Sequence, residues 1–302
     1  MSKLKKLKKN VREKKEIWQS DRHQLFVEGK DENAIDPLVL EILLKDIISV
    51  KPMGASYHVE SVAKALHKHH PDYYFLIDRD HHHDEPFVEK CWKNFPDPTT
   101  HNLLVWYRRE LENYFLIPEY LSKSQYLTVS EDELRQRIRG TFQERLYLET
   151  ANYVIVSLRE TLKNEWITLF KPTDFKTKDE AIAKLVNMPA FTEQLNRMGS
   201  LFCQEKLKEL FEECLDTFTG GNENDTLEFE RGQWLELMGG KKVLLSIINS
   251  SCFKMKDAQS NSLQGKVKLS EIVKDLVRKP IDEQPNDFQR LHEIISRRIL
   301  SV

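Results

Sequence analysis

The stretches LFVEGKDE, residues 25–32, and YYFLIDRD, residues 73–80, share one pattern. Each begins with a short apolar run, long enough for one buried strand, and ends in acidic residues. In open α/β sheets, ligands bind at the carboxyl ends of the strands. Glu28 is therefore predicted at the tip of the first strand. Asp78 and Asp80 are predicted at the tip of a later strand, pointing the same way because side chains alternate along extended chain.

Carboxylates at these positions predict a metal site. Glu32 follows Glu28 by one helical turn, so four carboxylates are expected to converge, namely Glu28, Glu32, Asp78 and Asp80. Like charges at short range repel one another and require a compensating cation. Mg²⁺, or Mn²⁺ in its place, takes oxygen ligands and works on phosphates, which makes it the expected cofactor.

Strand and helix signals alternate four times in the first part of the chain, which predicts an α/β fold with a parallel sheet flanked by helices. After the first strand, strands are expected at 47–53, 73–77 and 102–107, and helices at 31–45, 59–70 and 84–94. From Pro118 onward the periodicity is mostly helical. Helices are expected there at 131–149, 153–166, 179–185, 191–198, 201–218, 267–278 and 288–300.

These signals predict three segments, a basic helix at 1–20, an α/β domain at 21–121 and a mostly helical region at 122–302. Residues 3–15 carry eight Lys or Arg and one Glu, so the first segment is either an arm that binds nucleic acid or a partner, or a solvated start of the domain. The arginines at 135, 139 and 145 are expected to pair with glutamates at 131, 133 and 144 rather than to form a basic face.

Composition narrows the class of protein. Of the 302 residues, 40% are hydrophobic and 31% are charged, which is typical of a globular protein. The net charge of −2 means that any grip on nucleic acid must come from local patches. No apolar run approaches the length of a membrane span, and the basic N-terminus lacks the apolar core of a signal peptide. Four scattered cysteines are typical of reduced thiols, so a cytoplasmic location is expected.

A third motif makes the pattern more specific. The stretch LLVWYRRELENYFL, residues 103–116, places Glu-Asn-Tyr at the start of a helix after a strand. In order, the Glu-Gly, Asp-x-Asp and Glu-Asn-Tyr motifs resemble the toprim domain of topoisomerases, primases and overcoming-lysogenization-defect (OLD) nucleases. The chain is most similar to the stand-alone DUF4435 toprim proteins. Among these are the nuclease effectors of the PARIS anti-phage systems, which act with a separate ABC-type ATPase.

The resemblance implies a ligand set. Glu28, Asp78 and Asp80 are the core metal ligands, and Glu32 and Glu112 are further candidates. Glu110 competes with Glu112, because residues two apart on a helix differ by about 200° and only one of them can face the site. Spacing leaves this choice open, and the resemblance favours Glu112.

The segment MGGKKV, residues 238–243, is not a nucleotide-binding P-loop. Leu235 stands where that motif requires glycine, and no Ser or Thr follows the lysine. The segment resembles the late Gly-Lys motif of OLD-type toprims, in which a lysine neutralises charge on the scissile phosphate. Lys241 is favoured over Lys242 for this role. The alternative is an ordinary helix start with a glycine cap.

Seven of the ten histidines lie between His58 and His83. They are either part of a transition-metal site beside the aspartates or members of a polar loop. The loop is favoured, because consecutive histidines do not fix a coordination geometry and hard oxygen ligands lie nearby.

By resemblance, the chain is expected to be a metal-dependent endonuclease and the toxic effector of an anti-phage system. RNA, and tRNA in particular, is favoured over DNA as the substrate. An ABC-type ATPase partner and a homodimer in the active state are also implied. Basic residues beside the motifs are expected to contact the nucleic acid, namely Lys30, Arg79, Arg108 and Lys242. The alternatives are an OLD-like DNA nuclease and a non-catalytic regulatory toprim subunit.

Overall fold

The computed structural model describes residues 23–31, 34–45, 47–67, 69–80, 83–96, 102–163, 182, 189–256 and 262–300. The chain divides into two compact units. The first comprises Met1–Asp78, Pro86–Trp106 and Ser270–Val302, and the second comprises Arg79–Glu85 and Tyr107–Leu269. The predicted basic helix at 1–20 lies outside the described residues, as does nearly all of the helix expected at 179–185.

The first unit contains a four-stranded parallel sheet. Its strands are β1 (Gln24–Val27), β2 (Ser49–Pro52), β3 (Tyr73–Ile77) and β4 (Leu103–Val105). The helices that alternate with them are α1 (Ile35–Leu43), α2 (Ser56–Leu66) and α3 (Glu85–Asn94). The predicted α/β fold with a parallel sheet is therefore confirmed.

The strand order is β2-β1-β3-β4, so the order reverses once. After β1 the chain forms β2 on one side of it, and then crosses to form β3 on the other side. In the register of the central pair, Val27 lies opposite Leu76. The carboxyl ends of β1 and β3 therefore lie side by side at the point where the order reverses, which is where open α/β sheets bind ligands.

Burial explains why the strands are nearly pure apolar runs. Every residue of β1, β3 and β4 is buried, as expected for parallel strands covered on both faces. The ring of Phe26 packs on its neighbours across the sheet, with centroids 5.3 Å from Tyr73 and 5.4 Å from Phe75. The edge strand β2 instead has Val50 buried between two exposed residues.

The last helix of the chain belongs to the sheet unit. This helix, Asn286–Leu300, buries Phe288, Leu291 and Ile295 along one face. The ring of Phe288 lies 5.5 Å from that of Trp106, directly after β4. The compact units therefore divide the chain differently from the predicted boundary at residue 121, because helical periodicity identifies an apolar face but not the surface that covers it.

The named elements of the second unit are all helices over its described residues. Its main elements are a 3₁₀ helix (Leu111–Leu116), α4 (Pro118–Leu121), α5 (Glu131–Gln143), α6 (Leu146–Lys163), α7 (Pro189–Leu201), α8 (Gln204–Thr219), α9 (Trp234–Leu237) and α10 (Gly240–Asn249). Helix α11 (Gly265–Val277) runs from this unit into the first. The single helix predicted at 131–149 is wrong, since α5 and α6 are separate. Ile138, Phe142 and Leu146 are all buried at spacings of four, so the periodicity continues across the break.

Along the described residues, no helix combines the length and the apolar character that crossing a membrane requires.

A pair of glycines fixes the turn after β1, and substitutions there test its geometry. Gly29 and Gly54 both have positive φ, 138° and 100°, and exchange two main-chain hydrogen bonds of 2.9 and 2.8 Å. A Cβ on Gly29 would lie 3.1 Å from Ala34 Cβ and 3.2 Å from Pro37 Cδ, whereas a Cβ on Gly54 would meet nothing within 4 Å.

We expect Gly54→Ala to lower the free energy of unfolding by about 1–2 kcal/mol through backbone strain alone. Gly29→Ala should cost about 1 kcal/mol more, because crowding is added to the strain. Urea unfolding followed by circular dichroism measures both. Equal losses would show that the space around Gly29 is not limiting.

Candidate active site

Glu28 and Asp78 meet at the carboxyl ends of β1 and β3. The main-chain N–H of Asp78 donates to Glu28 Oε1 at 2.9 Å. Asp78 is 9% exposed, and Glu28 is partly buried. The parallel register produces this contact, because Glu28 follows Val27 and Asp78 follows Ile77 on neighbouring strands. The sequence prediction that these two acids share the end of the sheet is therefore confirmed for this pair.

Asp80 is hydrogen-bonded to a buried histidine, His83. The Asp80 N–H donates to His83 Nδ1 at 3.1 Å, and the His83 N–H donates to the Asp80 carbonyl at 2.9 Å. A main-chain N–H can only donate, so Nδ1 of His83 accepts and the proton of the neutral ring is on Nε2. His83 thus has a local role in holding the main chain of Asp80. His81 and His82 lie outside the described residues.

In the second unit, Lys241 contacts both glutamates of the third motif. Glu110 Oε2 accepts the main-chain N–H of Lys241 at 2.7 Å, and Glu112 Oε2 lies 3.9 Å from Lys241 Nζ. The premise that both glutamates lie on one helix is wrong, because the 3₁₀ helix begins at Leu111 and the backbone of Glu110 is extended. Which of the two faces the metal stays a prediction. Glu112 is buried within that helix at 3% exposure.

Gly240 allows a close approach between the third motif and the Gly-Lys segment. A Cβ on Gly240 would lie 2.4 Å from Asn113 Oδ1 and 3.1 Å from Asn113 N, so no larger residue fits without movement. The Asn113 amide donates to the carbonyls of Leu235 and Met238 at 2.9 and 2.8 Å. Asn113 therefore fixes the chain that leads into α10. The Gly-Lys segment is also the helix start that the sequence left as the alternative.

A buried glutamate, Glu149, also contacts the Gly-Lys segment. Glu149 accepts from Arg109 at 3.1 Å and from Arg145 at 2.6 Å, and its Oε2 also accepts the Gly239 N–H at 3.4 Å. Glu149 is 6% exposed, so its charge is stabilised by two guanidinium groups and a main-chain donor rather than by water. The arginines at 135, 139 and 145 were expected to pair with glutamates at 131, 133 and 144. Arg145 pairs instead with Glu149, and Arg135 with Glu119 and Glu230.

The predicted nucleic-acid contacts differ in their surroundings. The Arg79 guanidinium donates to the carbonyls of His83 and Tyr107 at 3.0 and 2.9 Å. The Arg108 guanidinium lies 3.3 Å from Glu236 Oε1 and stacks over the ring of Tyr114. Both arginines therefore hold structure within their own unit. Lys30 and Lys242 are exposed.

The donors match the chemistry of a hard cation, but the structure gathers only part of the predicted set. Carboxylate oxygens are the preferred ligands of Mg²⁺ and Mn²⁺, and Glu28 and Asp78 are adjacent at the sheet edge. Glu32 lies outside the described residues. Among the residues that are described, no three His, Cys, Asp or Glu side chains stand close enough together to hold a metal ion.

Two supporting residues were not singled out from the sequence, namely Glu149 and Arg109, whereas His83 belongs to the histidine segment for which a polar loop was favoured. The spacing of four between Arg145 and Glu149 is a usable signal, since it places both on one helix face. The contacts of Arg109 and Gly239 with Glu149 join positions 40 and 90 residues apart, and no local pattern reports such distances.

No protein-family model matches the chain, and no curated protein matches it either. The toprim resemblance therefore rests on the three acidic motifs and the Gly-Lys segment.

Gly240 and Gly239 form a matched pair for testing the contact with Asn113. In an ordinary helix start, Gly→Ala is neutral or stabilises by about 0.5–1 kcal/mol. We expect Gly240→Ala instead to lower the free energy of unfolding by about 1–3 kcal/mol, because the new methyl group overlaps Asn113. Gly239→Ala should be tolerated, since its Cβ would lie 3.5 Å from the nearest atom. Chemical denaturation compares the two, and a stabilised Gly240→Ala protein would contradict the contact.

Glu149→Ala tests the buried ion network. Removing this carboxylate leaves Arg109 and Arg145 without their shared partner, and breaking a buried pair costs about 3–5 kcal/mol. We expect a loss of about 3 kcal/mol in unfolding free energy. The control is Glu293→Ala, which removes an exposed ion pair with Arg297 on the last helix and should change stability by less than about 0.5 kcal/mol. Similar losses in the two variants would mean that Glu149 is not held as the distances indicate.

Proposed function

We propose that the chain is a metal-dependent endonuclease that hydrolyses phosphodiester bonds, with RNA as its substrate. The observation that carries this proposal is the acidic pair at the sheet edge. Glu28 and Asp78 share a hydrogen bond at the carboxyl ends of neighbouring parallel strands, where the strand order reverses. Acids that directly follow fully buried strands are costly unless they bind something, and carboxylates are suited to a divalent cation.

In this proposal, Glu28, Asp78 and Asp80 would hold Mg²⁺ or Mn²⁺, and the resemblance adds Glu32 and Glu112 as further candidates. A cation bound there supplies Lewis-acid stabilisation of the charge that develops on a phosphodiester. The main-chain N–H of Asp78 orients the Glu28 carboxylate through Oε1. Lys241 contributes a half-exposed ammonium group that can pair with a phosphate oxygen.

The biological setting of the proposal comes from the resemblance to DUF4435 toprim proteins. The nuclease is the toxic effector of an anti-phage system that acts by abortive infection. A partner ABC-type ATPase controls it, the active form is a homodimer, and tRNA is the expected target. The alternative is an OLD-like DNA nuclease, which has the same acidic site and differs in substrate.

The Glu28→Gln variant gives the sharpest test of the proposed activity. Gln keeps an oxygen that can accept the Asp78 N–H but loses the carboxylate charge, so the fold should survive while the metal site fails. We expect cleavage of total tRNA with Mg²⁺ or Mn²⁺ to fall by about 10³-fold, equivalent to ~4 kcal/mol. The control is Glu89→Gln on the exposed face of α3, which should cleave as the wild type does.

The other outcomes separate the candidate functions. Cleavage of plasmid DNA alone would favour the OLD-like DNA nuclease. If the purified chain cuts neither substrate, co-expression with its ATPase partner in cells tests whether toxicity requires Glu28. Thermal unfolding with and without Mn²⁺ measures metal binding independently of cleavage activity. At 100 times the dissociation constant, binding stabilises the folded state by about 2.7 kcal/mol, and Glu28→Gln should remove that gain.

A further inference from the structure

We infer that Glu110 is a positioning residue for Lys241, acting as the cap of the helix that carries it. This inference rests on the proposed nuclease function for its catalytic consequence. The contact itself is independent of that function. Glu110 Oε2 accepts the Lys241 N–H at 2.7 Å, and Lys241 is the second residue of α10.

The chemistry of this contact is that of a helix cap. The first N–H groups of a helix have no partner within the helix, and the amino end carries a partial positive charge. A carboxylate satisfies one of these donors and complements the charge. The residue at the cap position of α10 is Gly239, which has no side chain to cap the helix. Glu110 supplies the missing acceptor from a segment about 130 residues away along the chain.

Three polar residues of the third motif contact different parts of the segment around Lys241. Asn113 holds the carbonyls of Leu235 and Met238, which come just before the helix. Glu110 holds the main chain of Lys241, and Glu112 lies beside its ammonium group. Residues 110–113 therefore contact the main chain that precedes Lys241, the backbone of Lys241 and its ammonium group.

This arrangement gives the two competing glutamates different roles. With one oxygen bonded to an N–H in the first turn of α10, Glu110 fixes where the Lys241 side chain begins. Glu112, which is buried, acts on the charged end of the same side chain. A displacement of about 1 Å in a catalytic group can cost about 100-fold in rate, so fixing the backbone of Lys241 has a direct consequence for catalysis.

Two substitutions at Glu110 separate a cap from a metal ligand. Glu110→Ala removes the acceptor, whereas Glu110→Gln keeps a neutral oxygen that can accept the same N–H. Residue-resolved hydrogen exchange should show the Lys241 amide exchanging about 5- to 10-fold faster in Glu110→Ala and near the wild-type rate in Glu110→Gln. The exposed Glu144→Ala variant of the same unit is the control and should leave this amide unchanged.

Cleavage kinetics then test the positioning role. We expect Glu110→Ala to lower kcat by about 10- to 100-fold with little change in KM or in the Mn²⁺ concentration that gives half-maximal rate. Glu110→Gln should restore most of kcat. If Glu110→Gln is as inactive as Glu110→Ala and requires more Mn²⁺, Glu110 is a metal ligand and the inference is overturned.

Hydrogen exchange and cleavage kinetics together distinguish a failure of this inference from a failure of the proposed function. An unchanged Lys241 amide in Glu110→Ala would overturn the cap whether or not the protein is a nuclease. If the wild type cleaves no nucleic acid even with its ATPase partner, the proposed function fails, and faster exchange in Glu110→Ala would then leave a helix cap without a catalytic role. Faster exchange with unchanged kcat would overturn the positioning role alone.

Discussion

Parallel pairing between β1 and β3 constrains everything at the acidic end of the sheet. The two strands are buried throughout, so their register is fixed by packing on both faces. That register places Glu28 against the main chain of Asp78. A shift of one residue would turn every side chain of β3 to the opposite face and move Asp78 away from this contact. The acidic pair is thus a consequence of core packing in two strands that are largely apolar.

In the second unit, contacts from other parts of the chain hold the start of α10, which contains two consecutive glycines. Glycine at 239 and 240 gives this segment little side-chain packing of its own. Its position depends on polar contacts from other parts of the chain, chiefly Asn113, Glu110 and Glu149. Asn113 and Glu149 are buried, so losing a partner leaves a desolvated polar group and costs more than an exposed contact would. The same contacts exclude any side chain at Gly240.

The sequence predicts secondary structure best where one physical signal dominates. The apolar run at Tyr73–Ile77 matched its strand at both ends, because five apolar residues are the length of one buried strand and too few for a typical helix. The prediction of helix ends failed where the apolar periodicity continued through a break between two helices. The buried positions Phe142 and Leu146 keep helical spacing across the end of α5, so a break that depends on local main-chain geometry left no trace in the periodicity.

The sequence by itself determined the class of fold and the acidic strand ends, because strand length, burial and alternation with helices are local properties of the chain. It also identified the motifs that carry the resemblance to toprim nucleases. Only the tertiary structure decided which groups meet. The pairing of Glu110 with the Lys241 backbone, the grip of Glu149 on Gly239 and the return of Phe288 to Trp106 all join distant positions. Such contacts follow from packing and charge compensation between residues far apart in sequence, so no short stretch of sequence predicts them.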